Sequence, residues 1–198
     1  MRLTMILVLG VGMLVASVGW VAATDAPSFP EAPDPAGCTI EPLNFDELNE
    51  RITKPIPATP APGRGEVVPA GIAATAEQEA AILETVRLLV SCYNAGELLR
   101  SYALYTPQYL HHLFLRQGEY TEAAYLSLAT PMPARETDRV QILNITDQRL
   151  LPDGRLAANV VLRYQVIPMP KRFLMTFVET PDGWRIDDIL GEISFSVP

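Results

Sequence analysis

The pattern of apolar and polar positions changes character several times along the chain. From Leu3 to Ala23 it is almost unbroken apolar, interrupted only by Thr4, Ser17 and glycines. A run of about 20 such residues is long enough to cross a bilayer, and Val21-Ala22-Ala23 at its end fits a cut after Ala23. Residues 1–23 are therefore expected to be a signal peptide or, if uncleaved, a membrane anchor. Residues 24–37 (TDAPSFPEAPDPAG) have no apolar period and many prolines, which describes an extended, mobile tether. Asn44 with Glu47 forms a capping pair for a short helix through Leu48 and Ile52. Prolines at 55, 57, 60, 62 and 69 then exclude helix and favour polyproline geometry. Residues 24–73 thus read as a Pro-rich tether with one short helix.

A strong helical period starts at Thr75, which makes a capping box with Gln78. Ile82, Val86, Leu89, Val90 and Tyr93 share one face, and Glu77, Glu79, Glu84 and Arg87 are left for water. Asn94-Ala95-Gly96 suits a left-handed end, and Glu97 restarts a shorter helix through Leu98, Tyr102 and Leu104. Thr106-Pro107 opens another through Tyr109, Leu110 and Leu113, which Gly118 breaks. Glu119 to Leu128 carries one more helical pattern, ended by Thr130-Pro131-Met132-Pro133. From Asp138 the period becomes strand-like, through Val140, Ile142 and Ile145, with a turn at Leu151-Pro152-Asp153-Gly154 and a long return from Arg155 to Ile167. Arg172 to Glu179 is a third strand, and a second Pro-Asp-Gly at 181–183 leads into a fourth, Trp184 to about Ile193. Helices followed by an antiparallel meander predict an α+β domain over residues 74–198, its helices packed on a curved antiparallel sheet.

Charge and cysteines narrow the partners and the compartment. The chain has 15 basic and 23 acidic residues, and losing Arg2 with the leader moves the formal charge from −8 to about −9. That sign argues against nucleic acid and anionic membrane surfaces, or simply keeps an exported chain in solution. Membrane contact is expected only through residues 1–23. Cys38 and Cys92 are expected to form a disulfide on the secreted or extracytoplasmic side; the alternative is a buried Cys92 with Cys38 free. His111-His112 are helix neighbours about 100° apart, not the i, i+4 spacing that brings two imidazoles to one ion, so no metal is expected. Ser91 lacks a Gly-x-Ser-x-Gly elbow, no Gly-rich phosphate loop is present, and no cofactor is expected. Asn144-Ile145-Thr146 fits a glycosylation acceptor inside a predicted strand.

Four strings resemble the nuclear transport factor 2-like superfamily, which also holds ketosteroid isomerase and the SnoaL-like cyclases. They are Cys92-Tyr93-Asn94-Ala95-Gly96-Glu97, Ala103-Leu104-Tyr105-Thr106, Asp153-Gly154-Arg155 and Gly183-Trp184-Arg185-Ile186-Asp187. The likeness, which includes the order of elements, covers about Ala74 to Ile193. It implies a cone-shaped fold with a cavity between helices and concave sheet, used for small apolar ligands, and homodimers through the sheet's outer face. It further implies that Tyr93, Tyr102, Tyr105, Tyr109 and Tyr125 line the cavity with hydroxyls and that Asp187 or Asp188 supplies a carboxylate. Adjacent strand residues face opposite ways, so at most one of the two acids points inward. Each tyrosine also has the plainer reading of core packing, as does Trp184. The superfamily carries several chemistries, so the scaffold does not fix an activity. With no acid–base pair at recognisable spacing, the expected function is an exported non-catalytic binding or interaction module. The alternative is a small isomerase, dehydratase or cyclase acting on an apolar substrate through cavity Tyr and Asp groups.

Overall fold

The computed structural model describes residues 28–53, 68–114, 120–167 and 169–191. The leader expected at 1–23, the first residues of the tether, positions 54–67, Gly118 and Ile193 lie outside the described residues. Within them the chain is α+β, with five α-helices and an open five-stranded antiparallel sheet.

Helix α1 (Phe45–Thr53) starts where Asn44 and Glu47 cap each other, each side chain accepting the other's backbone N–H at 2.9 Å. It buries Leu48 and Ile52. Helix α2 (Ala76–Ala95) opens on the Thr75–Gln78 capping box, buries Ile82, Val86, Leu89 and Val90, and ends where Gly96 takes φ of 70°. Helices α3 (Leu98–Ala103) and α4 (Pro107–Phe114) follow. Helix α5 (Glu122–Leu128) starts later than its apolar period because Thr121 Oγ1 accepts the Ala124 N–H at 3.3 Å and fixes the cap there.

The strands β1 (Ile72–Ala73), β2 (Gln141–Leu150), β3 (Leu156–Arg163), β4 (Lys171–Thr180) and β5 (Gly183–Leu190) lie side by side in chain order. Strand β2 begins after Asp138, because Glu136–Asp138 close a 3-10 turn in which the Asp138 N–H reaches the Arg135 carbonyl at 2.8 Å. Strand β3 stops short of Ile167, whose N–H turns back to the Tyr164 carbonyl at 3.0 Å. Strand β1 falls in the stretch that prolines mark as tether. It is too short for alternation to reveal and exists by its pairing with β2, Ile72 opposite Leu150 and Ala73 opposite Arg149.

Leu156, Ala158, Val160, Phe173, Met175, Phe177 and Ile186 carry one face of the sheet into the main core with α2. The centres of β3 and β4 are buried on both faces, and Ala157 and Leu174 join Leu151 in a second cluster. Residues 28–53 are tied into this body despite their prolines. Glu31 and Ile142 exchange backbone hydrogen bonds at 2.9 and 2.7 Å, Glu31 pairs with Arg87 at 2.7 Å, and Leu43 is buried. Cys38 is bonded to Cys92. Backbone bridges, ion pairs and a disulfide leave no hydrophobic period, so this docking is invisible to periodicity.

Asn94 is wholly buried. Its Nδ2 donates to the carbonyls of Pro33 at 3.1 Å and Val140 at 3.2 Å, and its Oδ1 accepts the Val140 N–H at 2.8 Å. Asn94→Ala would leave these groups unpaired, with an expected loss of about 3 kcal/mol in urea unfolding followed by circular dichroism. A loss under about 1 kcal/mol would mean that water takes over the bonds. Reducing the disulfide, which joins positions 54 apart in sequence, is expected to cost about 4 kcal/mol in the same assay through the loop entropy it removes from the unfolded chain.

Candidate functional site

After α3, residues 104–106 run along the free edge of β5. The Ile186 N–H donates to the Leu104 carbonyl at 2.8 Å and the Thr106 N–H donates to the Ile186 carbonyl at 2.9 Å. This edge pairing drives Tyr105 into the core, where it is 2% exposed. The Tyr105 and Tyr93 hydroxyls lie 2.5 Å apart and share a hydrogen bond. The Tyr105 ring meets the Tyr109 ring edge to face at 4.9 Å and the Tyr102 ring at 6.1 Å. Tyr164, just past β3, packs against the same core and is near enough to disfavour ionisation of Tyr93 and Tyr109.

Burial pushes all of these phenols up: Tyr102 to about 12, and Tyr93, Tyr105, Tyr109 and Tyr164 also upward. They are neutral at any ordinary pH, so they serve as hydrogen-bond donors and acceptors rather than as bases. Four of the predicted tyrosines, Tyr93, Tyr102, Tyr105 and Tyr109, are thus brought together. Tyr125 is placed elsewhere, its hydroxyl donating to the Leu43 carbonyl at 3.4 Å and its ring edge-on to Phe45. Tyr164 is the member that sequence reasoning misses. A usable signal exists, since strict alternation from Val160 and Leu162 points it to the core face.

The two carboxylates of the last strand behave differently from each other. A bulge pairs Thr176 with Asp188 and Phe177 with Ile186, leaving Asp187 without a direct partner across the ladder. The expectation that these neighbours face opposite ways assumes regular pleating, which the bulge removes. Asp187 is buried and accepts from Thr106 Oγ1 at 3.0 Å and Arg155 Nη1 at 3.2 Å. Arg155 also holds Asp153, at 2.7 Å from Nη2 and 3.0 Å from Nε. Burial opposes the Arg155 charge, but the bonds from Asp153 and Asp187 outweigh it and the net shift is upward. Asp187 is accordingly part of a structural ion pair that fastens the β5 edge to the start of β3. Asp188 is half-buried. Burial pushes its carboxyl up, and the charge of Asp187 adds to this, against the pull of His112 and Arg155.

His111 Nδ1 is engaged with the Ile52 carbonyl, and His112 is exposed. No group of three or more His, Cys, Asp or Glu among the described residues could hold a metal ion. No helix among them is long and apolar enough to cross a membrane. Asn144 and Thr146 are exposed on β2. Two clefts lined by described residues, one at the β1–β2 end and one beside the β4–β5 turn, touch none of the predicted tyrosines.

Asp187→Ala strands the Arg155 charge and is expected to cost about 3 to 5 kcal/mol in thermal or urea unfolding. Arg155→Met combined with Asp187→Leu should recover much of that loss, and a smaller deficit in the single variant than in the double would contradict the pairing. Asp188 carries the opposite sign. Its folded pKa is raised, so the wild type loses stability as pH climbs from the ordinary Asp value of about 3.9 through the folded one. Asp188→Asn should therefore melt above the wild type near pH 7 and show no advantage near pH 3, as differential scanning calorimetry would read.

Neither the protein-family models nor the curated proteins and solved structures compared with this chain give a match.

Proposed function

We propose that the chain is an exported binding module whose interior takes a small, largely apolar molecule bearing a hydroxyl or carbonyl oxygen, without turning it over. The observation that carries this reading is the gathering of Tyr93, Tyr102, Tyr105, Tyr109 and Tyr164 within a core otherwise built of aliphatic side chains and Phe. Neutral phenols in an apolar surround can orient one polar group of a ligand while contributing mostly apolar area to its burial. Helices followed by an antiparallel meander support the cone-shaped fold of the nuclear transport factor 2-like superfamily, and with it a homodimer through the outer face of the sheet. The Cys38–Cys92 bond supports an extracytoplasmic compartment, with residues 1–23 as signal or anchor.

A second reading, a small isomerase, dehydratase or cyclase, is favoured by one observation. Asp188 has a raised carboxyl whose charge reaches Tyr109, the combination a general base beside a neutral acid needs. A thermal-shift screen against steroids, polyketide-like aromatics and fatty acids, with product analysis on every hit, separates the two. The expected result is at least one hit that raises the melting temperature, is weakened by Tyr105→Phe, and is recovered unchanged. Turnover abolished by Asp188→Asn would replace the binding module with the enzyme. Silence across the panel would remove both readings and leave self-association or a protein partner as the use of the fold.

A further inference from the structure

A different site lies beside the turn between β4 and β5. A cleft of about 360 Å³ opens there between α2, residues 39–40 and the turn, with Thr39, Ile40, Leu88, Leu104, Trp184 and Arg185 among its walls. Its size falls within the range of roughly 300–1,000 Å³ usual for small-molecule sites. Ile40, Leu88, Leu104 and Trp184 make it mainly apolar.

Arg185 is the member that does not belong to such a surface. Its side chain is only 15% exposed, and its one charged partner among the described residues is Asp182, 3.9 Å away and itself 81% exposed. Its guanidinium makes no hydrogen bond among the described residues. Arg155, just before β3, provides the contrast: similarly withdrawn from water, it binds two carboxylates at 2.7 to 3.2 Å. Burial lowers the Arg185 pKa, and the charge of Arg51 on α1 lowers it further against a weak pull from Asp182. Arg185 thus stands largely withdrawn from water with its nearest counter-charge, the exposed Asp182, beyond hydrogen-bond distance. A guanidinium offers five donors in a planar fork, and Asp182 meets none of them at hydrogen-bond distance.

We propose that this cleft binds a small organic carboxylate, taken by the Arg185 guanidinium, with the ligand's apolar body against Trp184, Leu88 and Leu104. Glu84 and Asp182 also border the cleft, and both are exposed. Their charges repel a dianion such as a phosphate monoester more than a single carboxylate, which selects the monoanion. The wall at Thr39 and Ile40 is set by the neighbouring Cys38–Cys92 bond and by Arg100 Nη1, which donates to the Ile40 carbonyl. The site is thus independent of the tyrosine interior and is built on the oxidised chain.

The test uses the full chain with Trp20→Phe, which leaves Trp184 as its only indole. The probes are 4-phenylbutyrate and its uncharged amide. The acid should change Trp184 emission saturably with a dissociation constant below about 1 mM, and the amide should bind at least about tenfold more weakly. Arg185→Gln should weaken the acid by a similar factor, while Arg163→Gln, an exposed arginine outside the cleft, should not. Thr39→Phe fills the cleft from an exposed position and should abolish binding, so the outcome does not hang on how well the Arg185 variant folds. Equal affinity for acid and amide, no saturation by about 10 mM, or binding that survives Thr39→Phe would overturn the proposal.

Discussion

The last turn of α2 is the constraint on which the rest of the molecule depends. A helix ends with carbonyls that have no partner inside the helix. Here the Asn94 carbonyl accepts the Ala134 N–H at 2.9 Å and the Gly96 carbonyl accepts the Met132 N–H at 3.3 Å, so the segment leading from α5 to β2 is laid across the helix end. Cys92 fixes the N-terminal segment through Cys38, the Asn94 side chain joins Pro33 to the first residue before β2, and Tyr93 meets Tyr105 at the edge of β5. Gly96 makes the close crossing feasible. At its φ of 70° a Cβ would lie 2.1 Å from the Met132 carbonyl, a distance no side chain can occupy. One helical turn therefore sets the positions of the N-terminal segment, the helical layer and the entry to the sheet.

Polar groups in the interior follow two regimes. Around Asp187, opposite charges and a hydroxyl satisfy one another, and the cost of burying the ions is offset by short, well-directed bonds. Around the tyrosines the polar groups are mostly neutral phenols, with the half-buried Asp188 carboxyl acting on Tyr109 from the strand beside them. The phenols stay neutral because burial and mutual repulsion disfavour phenolate, and the Tyr93 and Tyr105 hydroxyls pair with each other. Arg185 fits neither regime, being desolvated like Arg155 but without its partners. The two arginines differ in that Arg155 is held by two carboxylates at 2.7 to 3.2 Å, whereas the nearest carboxylate to Arg185 is 3.9 Å away.

Much of the architecture is legible in local chemistry. Asn44 with Glu47, Thr75 with Gln78 and Thr106-Pro107 open helices by satisfying first-turn N–H groups from neighbours three residues away, and Gly96 closes one because only a residue without Cβ is at ease there. The turns at Asp153-Gly154 and Asp182-Gly183 set the meander for the same reason, with both glycines at positive φ. Tyr93, Tyr102 and Tyr109 stand at inward positions that helical spacing already shows, whereas Tyr105 reaches them through its pairing with the edge of β5.

What only tertiary structure decided are the contacts made between residues far apart in the chain. Docking of residues 28–53 rests on the expected Cys38–Cys92 bond and, beyond it, on the pairing of Glu31 with Ile142 and of Asn94 with Pro33, interactions that leave no period to read. Strand β1 is two residues long and is defined by its partner. The bulge at Asp187 is absent from any alternation rule, and so is the pairing of that carboxylate with Arg155, a residue 32 positions away. Local signals arise from backbone geometry and fixed short spacings, so they are written in the order of residues. Which buried charge finds a counter-charge is settled only when the chain has closed on itself, and that decision distinguishes Asp187 from Asp188 and Arg155 from Arg185.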